Sequence, residues 1–185
     1  MANIEWKKRT KTTKGVITRL RREGYIPCVI YAKGKGTELG AISKRQFDAI
    51  VRTSKRGAIT TTVFDLEGDK TCKAILKEIQ YHPTNYEILH LDFLEFIEEN
   101  PVKVKIPVEF VNTADCVGIK LGGFLRHIKR HVPVRCLPKD IPESFKLDVK
   151  EVGIRQSKRV KDLEIPEQIT CLLKQEDVVA AVVKR

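Results

Sequence analysis

The stretch CKAILKEIQYHPTNYEILHLDFLEF, residues 72–96, decides how this chain folds. Two segments of strand length, Cys72–Tyr81 and Tyr86–Phe96, flank the turn residues His82-Pro83-Thr84-Asn85. Proline fixes its own φ and lacks an amide donor, and Asn tolerates tight turns, so the segment reads as a hairpin. Successive side chains of a strand point to opposite faces, which predicts Leu89, Leu91 and Phe93 on the core side. Ile88, His90 and Asp92 are then expected together on the other face.

Outward from this hairpin the same signals recur. Thr60, Thr61, Thr62, Val63 and Phe64 are strand formers, and Glu67-Gly68-Asp69 is the hairpin turn into Cys72. Residues 3–9 fit a first short strand, and Ile26–Tyr31 another, entered through Pro27. Between them Val16, Ile17 and Leu20 recur at helical spacing, with Thr12 or Thr13 as cap and Gly24 as stop. A second helix is predicted from the N-cap Ser43, with Phe47, Ile50 and Val51 on one face. The intervening Lys33-Gly34-Lys35-Gly36 turn lacks the G-x-x-x-x-G-K-[ST] pattern of a phosphate loop, and its helix follows too late. Repeated hairpins with two short helices point to a small β-barrel, because closure removes exposed edges.

Glu98-Glu99-Asn100-Pro101 is polar, acidic and ended by proline, and a new alternating strand follows it. That places a first domain at residues 1–97 and a second at 98–185. In the second, Val102–Val111 is expected to bury Val102, Val104, Ile106, Val108 and Phe110. Gly122-Gly123, Pro133, Pro138, Pro142 and Pro166 punctuate further short strands, the last being Val178–Val183. Both domains are therefore mainly β, with a few short helices.

Charge is distributed unevenly. Residues 1–56 hold fifteen Lys and Arg against four acids, a net of +11, which equals that of all 185 residues. Residues 57–100 carry −6 and residues 101–185 carry +6. A positive field concentrated in a folded stretch attracts polyanions and releases their condensed counterions. Arg19, Arg21 and Arg22 are expected to project around one short helical turn, and we read that run as uncompensated by acids four residues away. The alternative is an ordinary solvated helix face. Hydrophobic residues at 42% and charged ones at 32% describe a globular chain, and no apolar run approaches the roughly 20 residues needed to cross a bilayer. The polar, basic N-terminus is no secretory signal. Five widely spaced cysteines without C-x-x-C read as reduced, half-buried small hydrophobes, which points to the cytoplasm.

Chemistry-bearing clusters are few. His127, His131 and Cys136 raise a zinc site, but Pro133 and the apolar alternation argue for one strand, where i and i+4 lie about 13 Å apart. No nucleophile motif is present, and Glu98 and Glu99 read as linker charge, so neither catalysis nor a metal or other cofactor is expected. His90 and Asp92 are different. An acid beside a cationic surface opposes polyanion binding unless it accepts from specific donors, such as a base amino group, while histidine can donate or stack. The alternative pairs Asp92 with an arginine and leaves His90 an ordinary surface residue.

Several motifs together carry a resemblance. Arg21-Arg22-Glu23-Gly24-Tyr25-Ile26-Pro27, then Val29-Ile30-Tyr31, resembles the R-x-x-G-x-x-P-x-x-x-Y segment of the bacterial ribosomal Ctc proteins, the L-twenty-five type of large-subunit protein. Gln80-Tyr81-His82-Pro83 and His90-Leu91-Asp92-Phe93 are similar to that family's Q-x-H-P and H-x-D-F signatures. Gly118-Ile119-Lys120-Leu121-Gly122-Gly123 and Pro138-Lys139-Asp140-Ile141-Pro142-Glu143 resemble the extra C-terminal domain of its long members. Ile154-Arg155-Gln156-Ser157 lacks the glycine usual there. The resemblance implies a 5S ribosomal RNA binder of the central protuberance, with an N-terminal barrel related to the anticodon-binding barrels of glutaminyl-tRNA synthetase. It implies neighbouring large-subunit components as further partners, and neither a membrane nor a small-molecule substrate. Carried over by motif, the RNA-binding positions are Arg21, Arg22, Tyr31, His90 and Asp92, with Lys14, Arg19 and Gln80 as additions. Two other readings compete: a stress-induced RNA binder that joins ribosomes conditionally, and an accessory enzyme of RNA metabolism.

Overall fold

Alternating apolar residues build two compact units, Met1–Asn100 and Pro101–Arg185. The computed structural model describes residues 2–10, 13–32, 36–55, 57–68, 71–96 and 100–184. In the first unit the strands are β1 (Ala2–Lys8), β2 (Tyr25–Ala32), β3 (Thr37–Ser43), β4 (Val63–Glu67), β5 (Cys72–Tyr81) and β6 (Ile88–Glu95). Helix α1 (Lys14–Arg22) lies between β1 and β2, and α2 (Lys44–Thr53) follows β3. The six strands close into a barrel in the order β1-β3-β2-β6-β5-β4. The pairs β2–β3, β4–β5 and β5–β6 are antiparallel hairpins. The antiparallel pair β1–β3 and two parallel seams, β1 on β4 and β2 on β6, complete the circuit. Hairpin signals alone do not reveal those seams, because parallel neighbours are joined through distant chain.

The barrel interior is a single apolar cluster that includes Ile4, Trp6, Ile26, Ile30, Ile42, Phe47, Phe64, Leu66, Leu91 and Phe93. Local chemistry overrides several expectations. Ala58–Thr60 form a 3-10 turn, and the hydroxyls of Thr61 and Thr62 donate to the Ala58 carbonyl at 2.8 and 3.0 Å. Hydroxyl-to-backbone bonding competes with the strand ladder here, so β4 starts only at Val63. In β6, Gln80 faces His90 while Tyr81 faces Ile88, which leaves Leu89 as the extra residue of a bulge. A bulge shifts the alternation by one, so Ile88 packs against the core and Leu89 does not. Tyr86 belongs to the turn rather than to β6, with its backbone at φ +56°. On α2, Phe47 is buried but Val51 is 40% exposed. Thr13 and Ser43 do occupy N-cap positions, yet neither side chain makes a capping hydrogen bond. Thr12, the Lys33–Gly34–Lys35 turn and Asp69 lie outside the described residues.

In the second unit β7 (Val102–Val111) is followed by α3 (Val117–Lys120), β8 (Gly123–His127), β9 (His131–Cys136) and β10 (Phe145–Asp148). Three more strands complete it: β11 (Ser157–Arg159), β12 (Thr170–Cys171) and β13 (Val178–Lys184). They form a four-stranded sheet, β10-β7-β9-β12, and a three-stranded sheet, β11-β13-β8. Ile106, Val132, Val134, Phe145, Leu147, Val179 and Ala180 from both sheets share one core. His127 ends β8 and His131 begins β9, so the two histidines belong to different strands and different sheets. The His127 ring stacks on Phe110 with centroids 4.2 Å apart, and burial followed by the Arg130 charge holds its pKa below the usual value. Arg155 occupies the left-handed region at φ +66°, its amide donating to Val182 O, so this turn forms without glycine. Cys28, Cys72, Cys116 and Cys136 are buried, rather than half-buried, and Cys171 is intermediate.

Glycine is required where α3 meets β13. A Cβ at Gly118 would stand 2.7 Å from Val182 Cγ1, 2.9 Å from Val152 O and 3.0 Å from Gly153 C. Two of those neighbours are backbone atoms and cannot rotate away. Gly118→Ala is therefore expected to destabilise the second unit by about 1–3 kcal/mol, the usual cost of overpacking. A lower urea midpoint for its unfolding transition checks this, and an unchanged midpoint refutes the close packing of α3.

Candidate nucleic-acid interface

Three neighbouring barrel strands, β5, β6 and β2, collect most of the candidate residues on their outer face. Leu91 and Phe93 point inward with Ile30 and Ile79, so alternation turns His90, Asp92, Tyr31 and Gln80 outward. Register aligns them: Gln80 lies opposite His90, Glu78 opposite Asp92, Asp92 opposite Val29 and Tyr31 opposite Leu94. The antiparallel β5–β6 pairing brings Gln80 to His90, and the parallel pairing of β2 with β6 adds Tyr31 from a distant part of the chain.

His90 Nδ1 donates to Asp92 Oδ1 at 2.7 Å, with the two side chains 20% and 29% exposed. A carboxylate only accepts, so this bond places an imidazole proton on Nδ1 and leaves Nε2 outside the pair. The second carboxylate oxygen of Asp92 is then available as a further acceptor. Asp92 thus pairs with His90 rather than with an arginine. Burial pushes up the Tyr31 phenol, and the carboxylates of Asp92 and Glu78 add to that shift, so its hydroxyl stays a donor at neutral pH. Acceptors, a donor and an amide side by side form a surface suited to base edges rather than to phosphates alone.

The arginines of α1 divide. Arg21 Nη2 donates to the Leu89 carbonyl at 2.9 Å, which ties α1 to β6 at its bulge. Arg19 Nε pairs with Glu23 Oε1 at 2.7 Å, one helical turn away. Glu23 is thus the compensating acid that the reading of an uncompensated run missed. The Arg22 and Lys14 side chains are exposed and form no hydrogen bond or ion pair among the described residues. Helix α1 ends at Gly24, which takes φ +81° and accepts from the Lys44 amide. Lys14, Arg19, Arg21 and Arg22 are all exposed on α1, and among the described residues it is Arg21 whose side chain bonds to the strand that bears His90 and Asp92.

Arg9 escaped the sequence reading except as one of fifteen charges. Its Nε donates to the Gly40 carbonyl at 3.0 Å, and its Nη1 is buried without a partner among the described residues. Arg9 acts electrostatically on Cys28 in the opposite sense to Asp92, which puts its charge near the same part of the barrel. Burial dominates at Cys28 and pushes that thiol up to about 12, so it stays protonated. No sequence pattern marks Arg9, because its setting depends on the β1–β3 pairing.

Comparison with known proteins agrees with this architecture. The model of the Ribosomal L25p family matches residues 4–93, and that of the ribosomal protein TL5 C-terminal domain matches residues 101–185. Among curated proteins, the large ribosomal subunit protein bL25 of Chlamydia muridarum is 41% identical over 173 residues, covering 93% of this chain and 94% of the relative. The bL25 proteins of Chlamydia trachomatis serovar A and Chlamydia pneumoniae are 40% and 38% identical, with the same coverage of 93% and 94%. Likeness of this extent over both units shows that the chain belongs to the ribosomal L25p family, in the form that carries a TL5-type C-terminal domain, and so to structural proteins of the large ribosomal subunit rather than to enzymes.

Proposed function

We propose that this protein binds 5S ribosomal RNA in the central protuberance of the large subunit, in the bacterial cytoplasm. Residues 1–97 act as the RNA-binding barrel and residues 98–185 as a second domain that meets neighbouring subunit components. The observation that carries the reading is the His90–Asp92 hydrogen bond, set on one outer face with Gln80 and Tyr31 and bordered by Arg21. An acid held on the barrel of a strongly basic chain has a purpose if it accepts from bases. Arg22, Lys14 and Arg19 supply the phosphate contacts from α1, and Tyr31 and Gln80 complete the base-reading face. Constitutive rather than conditional association follows if the protein sediments with large subunits in low-salt lysate irrespective of growth conditions.

The test is titration of 5S RNA with the full chain and with residues 1–97. Both are expected to bind 5S RNA more tightly than an unrelated structured RNA, and within about tenfold of one another, or ~1.4 kcal/mol. Equal affinity of the full chain for both RNAs refutes 5S recognition. A shortfall of the fragment beyond tenfold shows instead that the second domain shares the site.

A further inference from the structure

Helix α2 presents a basic strip that the face around Asp92 does not include. An open groove of roughly 470 Å³ is lined by Gly24, Lys44, Arg45, Asp48, Ala49 and Arg52. Positions 45, 48, 49 and 52 recur at three- and four-residue spacing, so they form one side of α2. Arg45 and Arg52 stand about 10 Å apart along the axis, with the small Ala49 between them leaving room for a backbone to pass. Neither arginine has a hydrogen-bond or ion-pair partner among the described residues, and Asp48 between them pairs with neither. With Lys44 paired to Glu87, two arginines against one acid in a concave, solvated groove complement a polyanion.

The groove begins where the face described above ends. Gly24, in its lining, lies two residues beyond Arg22. At its rim, Lys44 Nζ pairs at 2.9 Å with Glu87, in the turn that joins Gln80 to His90. We propose that this strip holds a second sugar-phosphate segment of the same RNA, flanking the segment read by His90 and Asp92, through Arg45 and Arg52. This inference rests on the RNA-binding reading above and extends its footprint to α2. Arginine suits the task because its planar fork matches phosphate oxygens two at a time.

The experiment measures affinity of the full chain for 5S RNA across a salt series, with four proteins. Arg45→Ala with Arg52→Ala is expected to lower affinity and reduce the slope of log K against log salt by roughly 1.4–1.8, the value for two lost phosphate contacts. Arg45→Lys with Arg52→Lys keeps the charge and is expected to retain the wild-type slope. Asp48→Asn removes the one repulsive charge and is expected to tighten binding, the opposite of the effect expected at Asp92. All three variants change exposed or half-buried helix positions and are expected to keep the wild-type urea midpoint. If the wild type prefers 5S RNA but the double alanine variant keeps its full slope, the groove takes no RNA and the proposal is overturned. It is equally overturned if that variant binds RNA normally yet fails to enter large subunits, since the groove then meets a protein. A wild type without preference for 5S RNA instead overturns the underlying reading.

Discussion

Phe64→Ala is expected to cost the protein about 3–5 kcal/mol, the range for deleting a buried aromatic ring from a core that relaxes only in part. Phe64 is fully buried at the centre of three rings. Its centroid lies 6.2 Å from that of Phe47 in a stacked arrangement and 5.5 Å from that of Phe93, edge to face at 80°. Those partners belong to α2 and β6, so one ring on β4 joins three elements across the barrel. Against a domain stability of roughly 5–15 kcal/mol, the loss is about a fifth of the total or more. Phe93 is also the neighbour of Asp92 in β6, so the cavity loosens the strand that carries the candidate face. The chain's one tryptophan, Trp6, is 2% exposed inside the same barrel and reports its unfolding by fluorescence. A large fall in the urea midpoint at Trp6 is expected, with most of it recovered in Phe64→Leu, which refills much of the volume. A change below about 1 kcal/mol would show that the ring cluster contributes little beyond what the site can refill.

Much of the barrel is legible in the sequence because its strands alternate cleanly. Leu91, Phe93, Ile26 and Ile30 are inward as their spacing requires, and Gly24 ends a helix as its lack of a side chain permits. What escapes the sequence depends on partners remote in the chain. The bulge at Leu89 exists only relative to the register of β5, and it alone decides that Ile88 packs inward. The parallel pairing of β2 with β6 brings Tyr31 beside Asp92, and nothing local to either strand announces it. Thr60, Thr61 and Thr62 have high strand propensity, yet they sit at a tight turn where the Thr60 hydroxyl finds the Gly57 carbonyl, and those of Thr61 and Thr62 find the Ala58 carbonyl, first. Propensity ranks residues by their average surroundings, and these are not average ones.

The candidate site shows the same division. His90 and Asp92 sit two apart on a strand, so their shared face follows from periodicity alone, and the bulge one residue earlier leaves it intact. The arginines of α1 are visible as charge but not as individuals. Charge counting cannot tell that Arg21 is engaged with a carbonyl of β6, that Arg19 is held by Glu23 and that the Arg22 side chain is unengaged among the described residues. Arg9 makes the point from the other side, since a buried guanidinium nitrogen without a partner among the described residues is a property of the folded barrel only.

Asp92→Asn is expected to weaken binding of 5S RNA by about 1–3 kcal/mol, or roughly 5- to 150-fold, the worth of a specific base contact. Two effects oppose one another. Removing a negative charge from the surface of a strongly basic chain strengthens phosphate attraction, which favours the variant. Replacing the carboxylate by an amide keeps one acceptor for His90 Nδ1–H but turns the other into a donor. A base amino group that met an acceptor there now meets another N–H, and two donors left facing each other in a closed interface cost the full desolvation of both. The second effect exceeds the first, because a screened surface charge contributes little once salt is present. Two controls separate the effects. On unrelated structured RNA, where phosphates dominate, the variant is expected to bind equally or more tightly. In a cycle with His90→Ala, the two substitutions are expected to be non-additive, since the 2.7 Å hydrogen bond makes the pair one recognition unit. If a correctly folded Asp92→Asn protein bound 5S RNA as well as the wild type or better, Asp92 would be scaffold for His90, and base reading would have to reside elsewhere on the face.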